Sequence, residues 1–231
     1  MNEIKEFYSK LKFPGPYTIE DLEFYDDIIC NDYLKMYDNY ILGASSVLDV
    51  GCGSGLITNF LARRHPHIQF DAVDFSDSID YAMHFSEQHN ITNITYYKQD
   101  FLLFDSNRQY DVVFSNGVVH HIPEYQTAID KIKKLSANKI VIGIYNTYGK
   151  IFKNYLPVKY GSEILYLDQE HCPFEMTFTD KEFKIHFNDY NVLEVYPSCR
   201  NKLVDFVNLF NYNNGGLTIY VFQNSECSAV W

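Results

Sequence analysis

The sequence predicts an α/β protein built on a mostly parallel β-sheet with helices on both faces. Three observations carry that prediction. Between Val47 and Tyr145, short and almost purely apolar strands alternate with helical segments, the pattern of a parallel sheet buried on both sides. A glycine loop stands between the first of these strands and the helix after it. The chain has 231 residues and is 46% hydrophobic, enough for one domain to bury a core without disulfides or a structural metal.

Taken in order, Phe13 to Tyr17 (FPGPY) reads as a rigid turn, because its prolines and glycine cannot continue a helix. Thr18-Ile-Glu-Asp21 reads as a capping box. It opens a helix, in one piece or broken near Asn31, that carries Leu22, Tyr25, Ile28, Ile29, Tyr33 and Tyr37 to about Leu42, where Gly43 ends it. Strands follow at Val47–Val50, Gln69–Val73, Ile94–Tyr97, Asp111–Ser115 and Lys139–Tyr145, with helices at Leu56–Arg64, Ser76–His89 and Tyr125–Leu135. Beyond Tyr145 the pattern changes. Residues 146–178 are irregular and rich in aromatics, a helix is expected from Asp180 to Phe187, and strands near Val192–Tyr196 and Leu217–Phe222 flank a helical stretch at Asn201–Phe210. The whole of 1–231 reads as one domain: a helical cap at 1–43, a core at 44–145, an insertion at 146–178, a terminal helix and strand pair at 179–223, and a loose tail at 224–231.

Composition narrows the function. The formal net charge is −11 and no Lys/Arg run is present, which speaks against a nucleic-acid partner. Lys131 to Lys134 sit on an expected amphipathic helix and read as a solvated face. The five cysteines are widely spaced, with no CxxC, so neither a disulfide framework nor a zinc site is expected. The first residues lack the pattern of a signal or transit peptide, and no apolar run reaches membrane-spanning length. The expected location is the cytoplasm.

The strongest local signal is Leu48-Asp-Val-Gly-Cys-Gly-Ser-Gly55, followed about twenty residues later by Asp74 at the end of the second strand. Glycines at a strand-to-helix turn let the backbone approach a ligand closely, and a carboxylate at the next strand end accepts ribose hydroxyls. Dinucleotide sites use the same geometry. They want GxGxxG, whereas Gly51, Gly53 and Gly55 fall at alternate positions. Asp49, just before the loop, would repel a pyrophosphate and suit a cationic amino group.

VLDVGCGSG resembles motif I of the class I S-adenosylmethionine-dependent methyltransferases, and VDFSDS (Val73 to Ser78) resembles their motif II. Gln99-Asp-Phe101 matches their acidic position after the third strand, and SNGVVHHI (Ser115 to Ile122) the segment after their fourth. The resemblance spans about Val47 to Ile144. It implies a Rossmann-like seven-stranded sheet whose last strand pair has one antiparallel member. It implies S-adenosylmethionine as cofactor, with Asp49, Gly51, Cys52 and Gly53 at the methionine end, Asp74 on the ribose and Phe75 against the adenine face. Asp100 would bind the adenine amino group, the Phe101 amide a ring nitrogen, and Asn116 with Gly117 the methionine side near the sulfonium.

The expected reaction is methylation of an oxygen or nitrogen of a small molecule. The rivals are a peptide or protein methyltransferase, a dinucleotide-dependent oxidoreductase and a non-catalytic cofactor-binding scaffold. His120 and His121 are the candidate bases; the plainer alternative is that they only hydrogen-bond and pack in their loop. On the acceptor side the candidates are Tyr17 and Tyr25 from the cap, and Asp168, His171 and Glu175 from the insertion. Three metal ligands are not evident there, so no metal is expected.

Overall fold

A computed structural model of the chain describes residues 2–11, 13, 15–27, 32–147, 172–196 and 217–225, with the backbone alone for residues 2, 24–27, 32 and 33. The elements are α1 (Asn2–Leu11), α2 (Ile19–Asp27), α3 (Asp32–Tyr40), β1 (Ser46–Val50), α4 (Leu56–Arg64), β2 (Gln69–Asp74), α5 (Ser78–Gln88), β3 (Ile94–Lys98), β4 (Tyr110–Asn116), α6 (Tyr125–Leu135), β5 (Ser136–Tyr145), α7 (Asp180–Lys184), β6 (Tyr190–Tyr196) and β7 (Leu217–Asn224). Short 3₁₀ turns occupy Val119–His121 and Ile185–Phe187.

The seven strands lie in the order β3-β2-β1-β4-β5-β7-β6. The first five run parallel, and β7 is antiparallel to both of its neighbours. Strand residues alternate between two cores. Val47, Phe70, Val112, Phe114 and Val141 meet Leu22, Tyr37, Phe60, Leu61 and Phe85 from α2 to α5. Leu48, Val73, Val113, Ile140 and Ile142 meet Ala128, Ile129 and Ile132 of α6, with Phe183 and Phe187 behind. Phe187 stacks on Phe222 with ring centroids 4.0 Å apart, a pairing that contributes about 0.5–1.5 kcal/mol beyond area burial.

The described strands and helices follow the expected ones with differences at their boundaries, and α1 is an addition to them. In the cap, α2 ends at Asp27 and α3 starts at Asp32, residues 28–31 lying outside the described ones. Helix α5 begins at Ser78 rather than Ser76, because the Ser76 amide and hydroxyl are both drawn to Asp74 Oδ1, at 2.8 and 2.7 Å. Strand β5 begins at Ser136 with no loop after α6, and its register against β4 shifts between Tyr110 and Val112. The Thr18–Asp21 capping box is present, with the Thr18 amide donating to Asp21 Oδ2 at 2.7 Å and the Asp21 amide to Thr18 Oγ1 at 3.2 Å. Residues 148–171, the expected helix at 201–210 and the tail from 226 lie outside the described residues. No described helix is long and apolar enough to cross a membrane.

Candidate active site

Strand order reverses between β1 and β4, and in an open parallel sheet the crevice at that point, beyond the strands' C-terminal ends, is where ligands bind. A pocket lies there. Its walls come from Gly51 and Gly53 after β1, Asp74 to Ser76 after β2, Asp100 and Phe101 after β3, and Asn116 to Val118 after β4.

The glycine loop is folded back over β2. The Gly51 amide donates to the Val73 carbonyl at 2.7 Å, and Gly51 has φ +76°. A Cβ there would lie 2.3 Å from Val118 Cγ2, so only glycine fits. Across the pocket, Gly143 of β5 pairs in register with Asn116. A Cβ on Gly143 would sit 2.3 Å from Asn116 Oδ1, so its absence is what seats the carboxamide.

Asp74 is buried and binds protein with both oxygens. Oδ2 accepts the Gly53 amide at 2.8 Å, and Oδ1 accepts the Ser76 amide and hydroxyl. Burial still pushes its pKa above the usual carboxylate value. A carboxylate offers about four lone-pair sites; Gly53 and Ser76 take three of them, and the Phe75 amide also acts on the group. Asp100 is half-buried, and its carboxylate accepts the Leu102 amide at 2.9 Å. Phe101 beside it is buried, with the Lys131 ammonium 5.3 Å from its ring centre.

The two histidines part company. His120 is fully buried and stacks on Tyr145, centroids 4.0 Å apart, away from the pocket lining. His121 stands on the pocket wall. Its Nδ1 is 2.9 Å from the Phe174 carbonyl and 3.3 Å from Cys172 Sγ. A carbonyl only accepts, so Nδ1 carries the proton in the neutral ring and Nε2 carries the lone pair. The Met176 amide donates to the His120 carbonyl at 2.8 Å, and the Phe178 amide to the Tyr145 carbonyl at 3.0 Å, so residues 172–178 brace this turn.

The remaining wall is the N-terminus. Ile4 and Tyr8 of α1 line the pocket with Phe13. Tyr8 meets the His121 ring edge-on at 5.6 Å, and its hydroxyl is 3.7 Å from Cys172 Sγ. Helix α1 rests on the start of α5, where the Ser78 hydroxyl donates to the Tyr8 carbonyl at 3.4 Å. The FPGPY turn is bonded to the glycine loop through Ser54.

Of the residues expected at the site, Gly51, Gly53, Asp74, Phe75, Asp100, Phe101, Asn116, Gly117 and His121 line the pocket. Asp49, Cys52, His120, Tyr17 and Glu175 stand off that lining. Asp49 is held behind the loop by the Thr58 hydroxyl at 2.5 Å, and burial there raises its pKa to about 6. Cys52 turns away to pack with Ala72 and Ile79, where burial pushes its thiol well up. Tyr17 is buried against Asn59 and Ser54. Glu175 is half-buried in the bracing segment. Asp168, His171 and the side chain of Tyr25 lie outside the described residues. Ile4, Phe13, Val118 and Ile122 were not anticipated; the spacing Ile4, Phe7, Tyr8, Leu11, one face of a helix, was the available signal for α1. Among the described residues, no group of three His, Cys, Asp or Glu side chains is placed to hold a metal ion.

Residues 42–187 match the family described as "Methyltransferase domain". A ubiquinone biosynthesis O-methyltransferase of Coxiella burnetii is 32% identical over 138 residues, covering 58% of this chain and 56% of that protein. The (S)-coclaurine N-methyltransferase of Papaver somniferum is 28% identical over 52% of this chain and 34% of its own length. The chain thus spans about half, or less, of the curated relatives it matches. The fold is shared with the N-methyltransferase NodS of Bradyrhizobium japonicum WM9, solved with S-adenosylhomocysteine: TM-score 0.63, 16% identity, 97% of this chain and 100% of that one.

Proposed function

The chain belongs to the class I S-adenosylmethionine-dependent methyltransferases, and from that premise we propose that it transfers the methyl group of S-adenosylmethionine to an oxygen or nitrogen atom of a small molecule. The observation that carries this reading is that Asp74 and Asp100, at the ends of successive strands, share one pocket with a glycine loop whose Gly51 position a Cβ would block. That set fits the cofactor. Asp74 would hold the ribose, Phe75 and Phe101 the adenine with Asp100 on its amino group, and Gly51, Gly53, Asn116 and Gly117 the methionine end. Asp49 contributes negative charge from behind the loop rather than a direct contact. A dinucleotide fits poorly, because Gly51, Gly53 and Gly55 depart from the GxGxxG spacing and the Asp49 carboxylate behind the loop opposes a pyrophosphate.

When bound, the cofactor supplies an electrophilic methyl on a sulfonium. The chain's own residues then have to position the acceptor, exclude water and take a proton where the acceptor keeps one. Ile4, Tyr8, Phe13, Val118 and Ile122 make that side apolar and keep water out. His121, its Nδ1 proton directed at the Phe174 carbonyl, offers Nε2 as the base.

Calorimetry with S-adenosylmethionine, S-adenosylhomocysteine and NAD tests the cofactor, and a panel of phenols, hydroxylated acids and amines with labelled methyl donor tests the reaction. Binding of NAD in preference to S-adenosylhomocysteine would sink the reading. Label transfer only to peptides would move the acceptor to a macromolecule.

A further inference from the structure

One residue joins the floor of the pocket to its roof. Ser54, buried to 1% exposure, donates its amide to the Phe13 carbonyl at 2.9 Å and its hydroxyl to the Gly15 carbonyl at 2.9 Å. Its own carbonyl accepts the Tyr17 hydroxyl at 3.0 Å. Serine is among the preferred N-cap residues, yet the N-cap of α4 is its neighbour Gly55, with no side-chain cap. The hydroxyl goes to the turn instead.

Tyr17 is anchored in turn. Its hydroxyl accepts from Asn59 Nδ2 at 2.7 Å, and Asn59 Oδ1 accepts the Tyr96 hydroxyl at 3.1 Å. Asn59 is fully buried in α4, where an amide is tolerated only with its hydrogen bonds made. The Tyr81 hydroxyl contacts both the amide and the carbonyl of Tyr17. The chain neighbours of this strap face the pocket from two sides: Gly53 beside Ser54, and Phe13 leading back to Ile4 and Tyr8.

We propose that Ser54 and Tyr17 are positioning residues that make the α1 roof follow the glycine loop, so that a ligand ordering the loop also fixes the opposite wall of the pocket. Breaking the strap leaves buried donors and acceptors unmatched, so loop and turn move as one piece. The choice of ligand rests on the cofactor reading above; the strap itself does not.

The test is amide exchange of the full chain with S-adenosylhomocysteine as probe. Binding should slow exchange across residues 2–11 by about fivefold or more, the equivalent of one net hydrogen bond. In Tyr17→Phe and in Ser54→Ala that slowing should vanish, while calorimetric affinity for S-adenosylhomocysteine stays within about threefold. Unchanged exchange of residues 2–11 in the native chain, or slowing that persists in both variants, would overturn the proposal. If S-adenosylhomocysteine does not bind at all, the cofactor reading falls, and the ligand-free chain decides the strap. There both variants should quicken exchange across residues 2–11 and leave α6 at its native rate. Native rates in α1 would remove the strap as well.

Discussion

The donor side of the pocket is made of strand ends and the turns just after them, whereas the acceptor side is assembled from segments far apart in the chain. Asp74 is two residues from Ser76 and 21 from Gly53. On the acceptor side, His121 is 51 residues from Cys172 and 53 from Phe174, and Tyr8 is 164 from Cys172. Local geometry fixes the first wall, and tertiary contacts fix the second. Substitutions on the donor side should therefore act on affinity and loop order, and those on the acceptor side on turnover.

The sharpest test of that division is His121. His121→Asn should lower turnover by about 10²–10⁴-fold with S-adenosylhomocysteine affinity unchanged. His120→Asn should cost mainly thermal stability, since that ring is fully buried off the pocket. If His120→Asn carries the larger loss of turnover, the acceptor wall has been drawn around the wrong histidine. On the donor side, Gly51→Ala forces a side chain into φ +76° and into Val118. Strain and overpacking of about 1–3 kcal/mol each should weaken S-adenosylhomocysteine binding by about 10²-fold; calorimetry showing native affinity would break the comparison at its firmest point.

A smaller effect separates the two donor-side carboxylates. Asp74→Asn should weaken binding by about tenfold through lost charge-assisted bonds to the ribose. Asp74→Ala should also lower the melting temperature of the ligand-free chain, because Gly53 and Ser76 lose their acceptor. Asp100→Ala should weaken binding without that stability loss, and equal melting shifts would contradict it.

The smallest effect is one of pH. Burial pushes Asp49 up to about 6, so between the ordinary value near 4 and 6 the folded chain holds a proton that the unfolded chain has released. The group therefore stabilises the ligand-free fold most fully below about pH 4, and that contribution is lost as pH rises through 6. A cationic ligand near the loop favours the carboxylate and expels the proton. Affinity for S-adenosylmethionine should rise by up to about tenfold between about pH 5 and pH 7. Asp49→Asn should flatten the rise, any residual slope belonging to Asp74, which burial also raises. A pH-independent affinity in the native chain would detach Asp49 from the ligand.

How much of this was legible in the sequence follows the same division. Helices α4 and α6 begin and end where apolar periodicity places them, and the loop and carboxylates after β1, β2 and β3 stand at strand ends, which apolar runs mark well. Asp49 lies off the pocket lining because a strand alternates faces: Leu48 and Val50 face the α6 side, so Asp49 faces α4 and Thr58. Tyr17 carried no mark of its buried role, since tyrosine presents an apolar body and a polar tip in a pocket or in a core. His120 and His121 differ only in which side of a single 3₁₀ turn each occupies, and it is the Phe174 carbonyl, over fifty residues away, that orients the one on the pocket wall.

The two jobs of Asp74 bear on how descendants of this chain could drift. A carboxylate that fastens Gly53 and Ser76 is needed for folding whether or not anything binds, so a lineage that abandoned catalysis would still be under selection to keep it. Its presence in a homologue therefore testifies to an ordered loop, not to a retained ligand. Asp100, whose carboxylate holds the amide of its near neighbour Leu102, does not tie the glycine loop, and it is the position where a lapsed enzyme would first show the loss.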